Sequence, residues 1–440
     1  MINRFAVMNE RKRVSLAIFS FVVVALGFLV LGIYGFQRMG VGAYASDADV
    51  SPSALRSTTP ESVGLDSRRL ALVDTLVEEY ISEGAFPGAV VGIVRDGKMV
   101  YRKSFGYRQV KGDSLPMTLD TRFDLASLTK PVVVATSVVQ LVERGKLSLG
   151  DRVDRYIPGF RGWAEAKEDD TKPTAKDTVH IRIVDLMTHT SGLPPYVSPK
   201  SLAAKYPDAT FPNPDLVLDY IATCDRWAVA RTERIYSCLN YVTLARIVEI
   251  VTGMPIDEYA AANIFDPLNM CDSGYQPSKE QAAKCAPTEL TRDGRLYQGV
   301  VHDPLAREGM GGVSGNAGLF STLDDLSVYV AMLLNGGSWG GAEILSPRGV
   351  NAIFERPLGY QEWDRTLGWE NYARCSQTGG DLFSSRTIGH TGATGTSIVI
   401  DPELDIAVIV LTNYVHSTTK SSLLEFRSRI SSVVAASVRW

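Results

Sequence analysis

A serine and a lysine, Ser127 and Lys130, stand three residues apart in an apolar stretch that begins at Phe123 and reads Phe-Asp-Leu-Ala-Ser-Leu-Thr-Lys-Pro-Val-Val-Val. Residues three apart lie on the same face of a helix, so the lysine amine can reach the serine oxygen. A serine hydroxyl is a poor nucleophile unless a base takes its proton. Pro131 fits best in a first helical turn, because proline lacks an N–H. The pattern predicts a helix that starts at or near Ser127, runs to about Gly145 and carries an activated serine.

A second Ser-x-x-Lys begins at Ser417. Chance alone gives roughly one or two matches to so short a motif in a chain of this length. The second match lies between a strand-like segment, 406–412, and a helical segment, 421–438. Ser417 or Thr418 is therefore expected to cap that helix. We take Ser127 as the candidate nucleophile because of the segments that follow it.

Composition excludes several functions. The chain has 440 residues, 45% hydrophobic and 21% charged, with a net charge of −4. These values are typical of a globular protein with a large core. The mild charge and the lack of a basic patch argue against nucleic-acid binding. The sequence contains no His-Glu-x-x-His and no Gly-x-Ser-x-Gly, which disfavours a zinc protease and a Ser-His-Asp hydrolase. We expect neither a metal nor a cofactor.

The N-terminal region differs from the rest. Residues 14–36 are uncharged and apolar and follow a basic cluster at 11–13. The run is long enough to span a bilayer, and the charge asymmetry places residues 1–13 in the cytoplasm and the remainder outside. A small-x-small motif at 43–45 leaves cleavage of a signal peptide near Ala45 as the alternative, and a buried core helix is a third reading. The length of the run favours an uncleaved anchor. Residues 37–61 read as a linker.

The cysteines match no zinc pattern, and their number is odd. If the domain lies outside the cytoplasm, a disulfide could join Cys271 to Cys285, the pair nearest in sequence. The five are Cys224, Cys238, Cys271, Cys285 and Cys375.

Periodicity divides the folded part, 62–437, into two regions. Helical and strand-like segments at both ends predict an antiparallel sheet flanked by helices, built from 62–145 and 320–437. Residues 146–319 read as an inserted, mainly helical lobe, so the fold class is α+β. Helices are expected at 67–81, 239–251, 323–335 and 421–438, a hairpin about Asp96-Gly97, and strands at 387–390, 397–400 and 406–412.

Three segments occur in an informative order: Ser127-x-x-Lys130, then Arg-Ile-Tyr-Ser-Cys-Leu-Asn-Tyr containing Tyr236, then Gly-His-Thr-Gly-Ala-Thr-Gly-Thr at 389–396. This order resembles the serine β-lactamase and penicillin-binding protein superfamily, in its class C-like branch. The resemblance covers roughly residues 60–435. It is strongest to the penicillin-binding protein 4B-like group of D-Ala-D-Ala carboxypeptidases and to related esterases, and it implies a β-lactamase/transpeptidase-like fold. Further matching stretches are Leu-Met-Thr-His-Thr-Ser-Gly-Leu at 186–193, Val-His-Asp at 301–303 and the glycine-rich segment 311–321.

The resemblance implies catalytic roles residue by residue. Ser127 would attack a carbonyl carbon. Lys130, neutral or nearly so, and Tyr236 would share the proton as general base. His390 would complete the hydrogen-bond network around Tyr236 and the substrate. The backbone N–H groups of Ser127 and Ala393 would form the oxyanion hole.

The resemblance also implies that Cys238, Thr391 and Gly392 bind substrate, with Gly392 admitting the substrate backbone. Three positions depart from the family pattern. Cys238 stands where relatives carry Asn, Asp or Ser, and a thiol is a weak hydrogen-bonding group. Asn240 could substitute, although its offset differs. His390 stands where many relatives carry Lys, and Asn316 stands where close relatives often carry His.

Other polar residues are expected to be structural. His189, in a turn-rich segment, should pack below the site. His302 and Asp303 should brace the same region.

These observations predict an extracytoplasmic serine hydrolase that forms an acyl-enzyme on Ser127. Its substrate would be a small molecule or peptide carrying an ester, amide or lactam. DD-peptidase action on peptidoglycan-derived peptides ranks first, esterase action second and β-lactam hydrolysis third. A membrane-anchored, non-catalytic penicillin-binding-like protein is the alternative of another class.

Overall fold

The computed structural model describes residues 55–164, 178–291, 293–372, 378–417 and 423–439. The predicted membrane anchor at 14–36, the cleavage motif at 43–45 and Cys375 lie outside these ranges. Within the described ranges, no helix combines the length and the hydrophobicity needed to cross a bilayer.

The elements of the described residues are as follows. The strands are β1 (Gly88–Arg95), β2 (Lys98–Gln109), β3 (Leu115–Pro116), β4 (Phe123–Asp124), β5 (Trp163–Ala164), β6 (Thr178–Val179), β7 (Phe320–Ser321), β8 (Ser338–Trp339), β9 (Ala342–Glu343), β10 (Glu370–Asn371), β11 (Ile388–Thr391), β12 (Ser397–Asp401) and β13 (Ile406–Thr412). The α-helices are Ser67–Leu70, Leu72–Ser82, Thr136–Glu143, Ile183–Met187, Pro199–Lys205, Pro214–Thr223, Cys238–Thr252, Ile256–Ala260, Lys279–Ala282, Leu323–Leu334, Pro347–Phe354 and Leu423–Ala436. Short 3₁₀ turns span Pro60–Val63, Ala126–Leu128, Val153–Arg155 and Tyr414–His416, and π-helical turns span Lys130–Ala135, Ala261–Phe265 and Leu305–Gly309.

One seven-stranded sheet organises the fold, in the order β10-β11-β12-β13-β1-β2-β3. Every neighbouring pair is antiparallel. The first hairpin turns at Asp96 and Gly97, which have φ of +52° and +64°, as a tight two-residue turn requires. Strand β1 then pairs with β13 from the far end of the chain. The predicted α+β class, with an antiparallel sheet built from both chain ends, is confirmed.

Both faces of the sheet are buried, as the alternation of side chains along β1 shows. Val91 and Ile93 pack with the helices Leu72–Ser82 and Leu423–Ala436. Val90 and Val94 belong to the larger core on the other face, shared with the helical region. Because successive strand residues point to opposite faces, one strand contributes to two cores.

The disulfide suggested between Cys271 and Cys285 is wrong. Both residues are free thiols, Cys271 exposed and Cys285 buried. The Cys285 Sγ lies 3.5 Å from the carbonyl oxygen of Gln281, and the Cys271 Sγ lies 3.2 Å from the Asn269 side-chain oxygen. Proximity in sequence did not bring the two side chains together.

Candidate active site

The candidate nucleophile follows a strained turn. Strand β4 ends at Asp124, and Ala126 has φ of +47°, a left-handed conformation that a residue with a Cβ seldom adopts. The buried Asp124 carboxylate accepts the Ala126 N–H at 2.8 Å and the His302 N–H at 2.6 Å. These two bonds hold the backbone just before Ser127. Helical structure starts at Ala126, as the sequence predicted, with a 3₁₀ turn and then a π turn.

The serine and the lysine of the motif are in contact. The Lys130 amine donates to Ser127 Oγ at 2.9 Å and to the carbonyl oxygen of Asn316 at 2.8 Å. Lys130 is fully buried. The Ser-x-x-Lys spacing therefore places the two side chains as predicted, and Asn316, which the sequence left unexplained, supplies the second acceptor through its backbone.

Burial and the neighbouring acidic groups act on the pKa of Lys130 in opposite directions. Burial lowers its pKa, but Cys238 and Tyr236 in their ionised forms, and Asp303, raise it, and the net pKa lies above the ordinary value. The upward direction requires Cys238 or Tyr236 in the ionised form, so the neutral or nearly neutral lysine expected from the sequence stays a prediction. Lys130 and Tyr236 can take the Ser127 proton only when the pair is one proton short, as a phenolate beside an ammonium or as a phenol beside a neutral amine.

The ring of Tyr236 lies among charged and aromatic neighbours. The Lys130 amine lies 5.2 Å from its centroid, the Arg365 guanidinium 5.5 Å, the His189 ring 4.4 Å and the His390 ring 6.1 Å. Tyr236 comes two residues before the helix Cys238–Thr252. The structure thus brings the second predicted segment against the first.

His189 has the structural role expected of it. Its Nδ1 accepts the Ser237 N–H at 3.0 Å and lies 3.1 Å from the Asn240 side-chain nitrogen. Burial lowers its pKa well below the ordinary value, and Arg365 adds to the effect. The imidazole is therefore neutral, and it supports the ring of Tyr236 from below.

His390 lies on β11 and is 3% exposed. Its Nδ1 lies 2.9 Å from the carbonyl oxygen of Thr391, which only accepts, so this nitrogen carries the proton. Nε2 has no hydrogen-bond partner among the described residues. Burial lowers the His390 pKa well below its ordinary value, and the positive charges of Arg365 and Lys130 lower it further.

The segment around Ala393, predicted to complete the oxyanion hole, is tied to the turn before Ser127. The Thr394 hydroxyl donates to the carbonyl oxygen of Asp124 at 2.6 Å, and the Thr396 hydroxyl donates to that of Leu125 at 3.1 Å. Ala393 lies at the exposed tip of this segment. Two bonds therefore fix the backbone around Ala393 relative to that before Ser127, as an oxyanion hole made of two N–H groups requires.

The structure places the three residues predicted to bind substrate, Thr391, Gly392 and Cys238, in different surroundings. Thr391, at the end of β11, is partly exposed. A Cβ on Gly392 would lie 2.4 Å from the Leu125 carbonyl oxygen, so contact with the nucleophile turn already requires glycine there. Burial raises the pKa of the Cys238 thiol, against an opposing effect of Lys130. Cys238 is a neutral thiol beside the lysine.

Asn240 does not replace the missing polar group. Its side-chain oxygen accepts the Ser191 hydroxyl at 2.6 Å, and its nitrogen lies beside His189. Because Asn240 is fully buried among these partners, it supports the loop below Tyr236. The suggestion that it contacts substrate is corrected.

Asp303 joins two parts of the site. Its Oδ1 accepts the Asn316 side-chain N–H at 3.0 Å and the Ala306 N–H at 2.8 Å. The bracing role expected of His302 and Asp303 is visible here, because Asp303 holds Asn316 while the His302 N–H binds Asp124.

Of the second Ser-x-x-Lys, the structure describes only Ser417, which is bonded away from this cluster. The Ser417 hydroxyl donates to the carbonyl oxygen of Gly84 at 2.7 Å, and Lys420 lies outside the described residues. Elsewhere in the described chain, no group of three or more His, Cys, Asp or Glu side chains is arranged to hold a metal ion.

Comparisons with known proteins agree with this geometry. Residues 73–427 match the family model described as Beta-lactamase. A Salmonella gallinarum protein named "Putative D-alanyl-D-alanine carboxypeptidase" is 33% identical over 387 residues, covering 82% of this chain and 87% of the relative. Among solved structures, EstCE1, a hydrolase with promiscuous acyltransferase activity, aligns with a TM-score of 0.66 at 22% identity, over 84% of this chain and 99% of its own. A class C beta-lactamase aligns with a TM-score of 0.63 at 19% identity, over 85% and 97%.

Proposed function

Because this chain belongs to the beta-lactamase family and is a serine hydrolase by that membership, we propose that it works through an acyl-enzyme on Ser127. Peptides ending in D-amino acids, derived from peptidoglycan, are the first substrate class. The observation that carries the mechanism is the contact of the buried Lys130 with Ser127 Oγ, beside the ring of Tyr236.

The proposed reaction has two halves. Ser127 Oγ attacks the substrate carbonyl carbon and its proton passes to the Lys130 and Tyr236 pair, while the N–H groups of Ser127 and Ala393 bind the oxyanion. The tetrahedral intermediate expels the leaving amine or alcohol, which takes that proton. Water then attacks the acyl-enzyme and loses a proton to the same pair, which passes it to Ser127 Oγ as the acyl bond breaks and the acid leaves.

The proposal of a DD-carboxypeptidase draws on the relative that carries this name at 33% identity. The neutral His390 favours a second candidate, a carboxylesterase. A neutral imidazole offers no charge to a substrate carboxylate, and a simple ester has none. Hydrolysis of β-lactams ranks third. A non-catalytic, membrane-anchored binding protein is disfavoured by the intact contact between Ser127 and Lys130.

Labelling and turnover test the proposal together. The ectodomain is incubated with a fluorescent penicillin, a fluorophosphonate, p-nitrophenyl esters and a D-Ala-D-Ala peptide, and its intact mass is measured. We expect a covalent adduct that maps to Ser127 and disappears in Ser127→Ala. Ser417→Ala is the matched control, because it removes a serine hydroxyl from the same motif and should leave labelling unchanged. An adduct on Ser417, or full activity in Ser127→Ala, contradicts the assignment.

Location is part of the proposal and draws on the sequence. An anchor at 14–36 with the basic cluster at 11–13 inside would place the catalytic domain outside the cytoplasm. Alkaline phosphatase fused after Asp47 should be active in the membrane fraction. An inactive reporter rejects export, and soluble periplasmic activity indicates cleavage near Ala45 instead.

A further inference from the structure

Asn316 is a buried residue whose backbone and side chain have different partners. Its carbonyl oxygen accepts a hydrogen bond from the Lys130 amine at 2.8 Å. Its side-chain nitrogen donates to Asp303 Oδ1 at 3.0 Å, and its side-chain oxygen accepts from the Ser314 hydroxyl at 2.7 Å. Asn316 and Ser314 are each 1% exposed. Both ends of the amide are therefore bound, in the residue that stands where close relatives often carry His.

These partners fix which way the Asn316 amide lies. A carboxylate only accepts hydrogen bonds, so the amide nitrogen has to face Asp303 and the amide oxygen is left for the Ser314 hydroxyl. Turning the amide over would set its oxygen against the half-buried carboxylate, with no proton between the two acceptors. Because an unpaired acceptor inside a protein is costly, the side chain has one favoured orientation.

Asp303 is itself held by the backbone that follows it. Its Oδ1 also accepts the Ala306 N–H at 2.8 Å, and its carbonyl oxygen accepts the Arg307 N–H at 2.9 Å. These bonds lie at the start of the π-helical turn Leu305–Gly309. The carboxylate therefore has a fixed position from which it can hold Asn316.

The backbone on either side of Asn316 is anchored, but at a distance from its carbonyl. Just before it, a Cβ on Gly315 would lie 2.0 Å from the Tyr241 carbonyl oxygen, so the chain passes very close to that helix. Three residues after it, the Leu319 N–H donates to the Thr129 hydroxyl at 3.1 Å. The bond from the Asn316 side chain to Asp303 acts on the same residue as the carbonyl, and it fixes the direction of the Cα–Cβ bond beside it.

The Asn316 carbonyl determines how the Lys130 amine faces Ser127. A carbonyl oxygen only accepts, so one N–H of Lys130 has to point at it in either charge state. In a neutral amine this leaves one N–H and the lone pair, and the lone pair can then face Ser127 Oγ, 2.9 Å away. In an ammonium beside a Tyr236 phenolate, the same bond keeps the nitrogen within reach of Ser127. Proton transfer requires such hydrogen-bond contact between the heavy atoms.

We propose that Asp303 is a positioning residue of the catalytic site, which holds the Asn316 side chain and thereby aims the Asn316 carbonyl at the Lys130 amine. The proposal rests on the serine hydrolase function proposed above. Three hydrogen bonds of 3.0, 2.8 and 2.9 Å connect Asp303 through Asn316 and Lys130 to Ser127. In this role Asp303 takes no proton and touches no substrate.

Crystal structures of variants read this geometry without any substrate. In Asp303→Ala, the Asn316 carbonyl oxygen should move away from Lys130 Nζ to a distance beyond about 3.5 Å, outside hydrogen-bond range. Asp303→Asn should keep the contact near 2.8 Å. Both hydrogen bonds to the carboxylate go to Oδ1, and an amide oxygen in its place can accept both.

Kinetics with p-nitrophenyl acetate measure the consequence for catalysis. A misplacement of about 1 Å can cost about a hundredfold in rate, so Asp303→Ala should lower kcat about tenfold to a hundredfold with little change in KM. Asp303→Asn should restore most of the rate, because it restores the hydrogen bonds. Asn316→Ala should match Asp303→Ala, and the double variant should be no slower than either, because both changes break one path.

Tyr275→Phe is the matched control. The Tyr275 hydroxyl donates to the Ser314 carbonyl oxygen at 3.2 Å. The variant therefore removes a hydrogen bond to the same segment without touching the Asn316 side chain. It should lower the free energy of unfolding and leave kcat unchanged.

Each outcome supports or overturns the proposal. A contact between Asn316 and Lys130 that stays near 2.8 Å in Asp303→Ala overturns it. So does a double variant whose losses multiply, or a Tyr275→Phe protein as slow as Asp303→Ala. An Asp303→Asn protein as slow as Asp303→Ala also overturns it, because the charge and not the hydrogen bond would then be needed.

Two further results are covered by the same set of variants. If Asp303→Ala does not fold, Asn316→Ala breaks the same side-chain bond, and an unmoved carbonyl at position 316 in that variant refutes the proposal. If the wild type neither labels nor turns over substrate, the hydrolase function fails, whereas the crystal structures still decide whether Asp303 positions the carbonyl.

Discussion

Replacing Asp124 by asparagine should show whether this side chain holds the backbone turn before Ser127 in its strained conformation. The carboxylate accepts two backbone N–H groups, from Ala126 at 2.8 Å and from His302 at 2.6 Å. An amide of the same shape keeps one acceptor oxygen and turns its NH₂ toward the other N–H. One charge-assisted bond is lost, and a buried donor faces another donor.

The expected magnitudes follow from these contacts. A hydrogen bond to a charged group contributes about 1.5–3 kcal/mol, so Asp124→Asn should lower the free energy of unfolding by about 2–3 kcal/mol. Ala126 holds an unfavourable φ of +47° only while its N–H is bound. Once it relaxes, the Ser127 N–H moves from the place proposed for it in the oxyanion hole. Loss of one such donor costs about 10²–10³ in kcat, and a displaced donor should cost about tenfold to a hundredfold, or about 1.4–2.8 kcal/mol.

The assay compares kcat and the free energy of unfolding with those of a matched variant, Asp401→Asn. Asp401 is also a fully buried aspartate and accepts the Ser384 and Glu403 N–H groups at 2.6 and 2.9 Å. It lies at the end of β12 away from the site, four residues from Ser397, which pairs with Thr391. That spacing is roughly 13 Å along a strand.

Both variants should lose stability, and only Asp124→Asn should lose kcat beyond what the remaining folded fraction explains. Equal kcat in the two proteins at full folding would show that Asp124 is a structural residue alone. A normal kcat in Asp124→Asn would also refute the link between the Ala126 turn and the oxyanion hole.

Three further predictions concern pH, packing and charge. Burial raises the Asp325 pKa to about 6, against about 3.9 when unfolded, so as the pH falls from 7 to 4 the wild type should gain about 2 kcal/mol of unfolding free energy relative to Asp325→Asn; a flat difference in urea titrations contradicts this. Gly368 has φ of +94°, and a Cβ there would lie 2.4 Å from the Cβ of Ala135; Gly368→Ala should lose more than about 2 kcal/mol by denaturant unfolding, and a smaller loss means that the turn can shift. His390→Lys should raise kcat/KM for penicillins or D-Ala-D-Ala peptides about tenfold relative to p-nitrophenyl acetate, or about 1.4 kcal/mol; a constant ratio, or one that moves toward the ester, assigns His390 a role in holding Tyr236 instead.

Local patterns predicted the elements of this chain well. Alternation and an Asp-Gly turn gave the first hairpin, and the apolar period gave the helix that ends with Gly253 in the left-handed conformation. The Ser-x-x-Lys spacing placed Lys130 on Ser127 because helix geometry fixes that distance. In each case the interacting groups lie within a few residues of one another.

Contacts between distant segments were not predictable in this way. Arg365 reaches Tyr236 across 129 positions of numbering (365 minus 236), and no local pattern marks it. The carbonyl of Asn316 binds Lys130 through the backbone, so its side-chain identity carried no signal. The charge of Lys130 also depends on the sum of its neighbours, which the motif alone does not contain. Asp124 differs from these residues, because it lies only three residues before Ser127 and its contact with this turn could have been considered from the sequence alone.

The pairing of β1 with β13 has a consequence for how the protein is made. Strand β13 is the last strand to be synthesised, and it lies in the middle of the sheet between β12 and β1. Until it emerges, the hairpin of β1 and β2 has an unpaired edge, which invites pairing with other chains. Contacts so distant in sequence make folding slow, because the loop between them must close first. A nascent chain of this protein therefore has to be kept from aggregating until nearly all of it has been synthesised, and a truncation before Ile406 should yield insoluble material and not a smaller active domain.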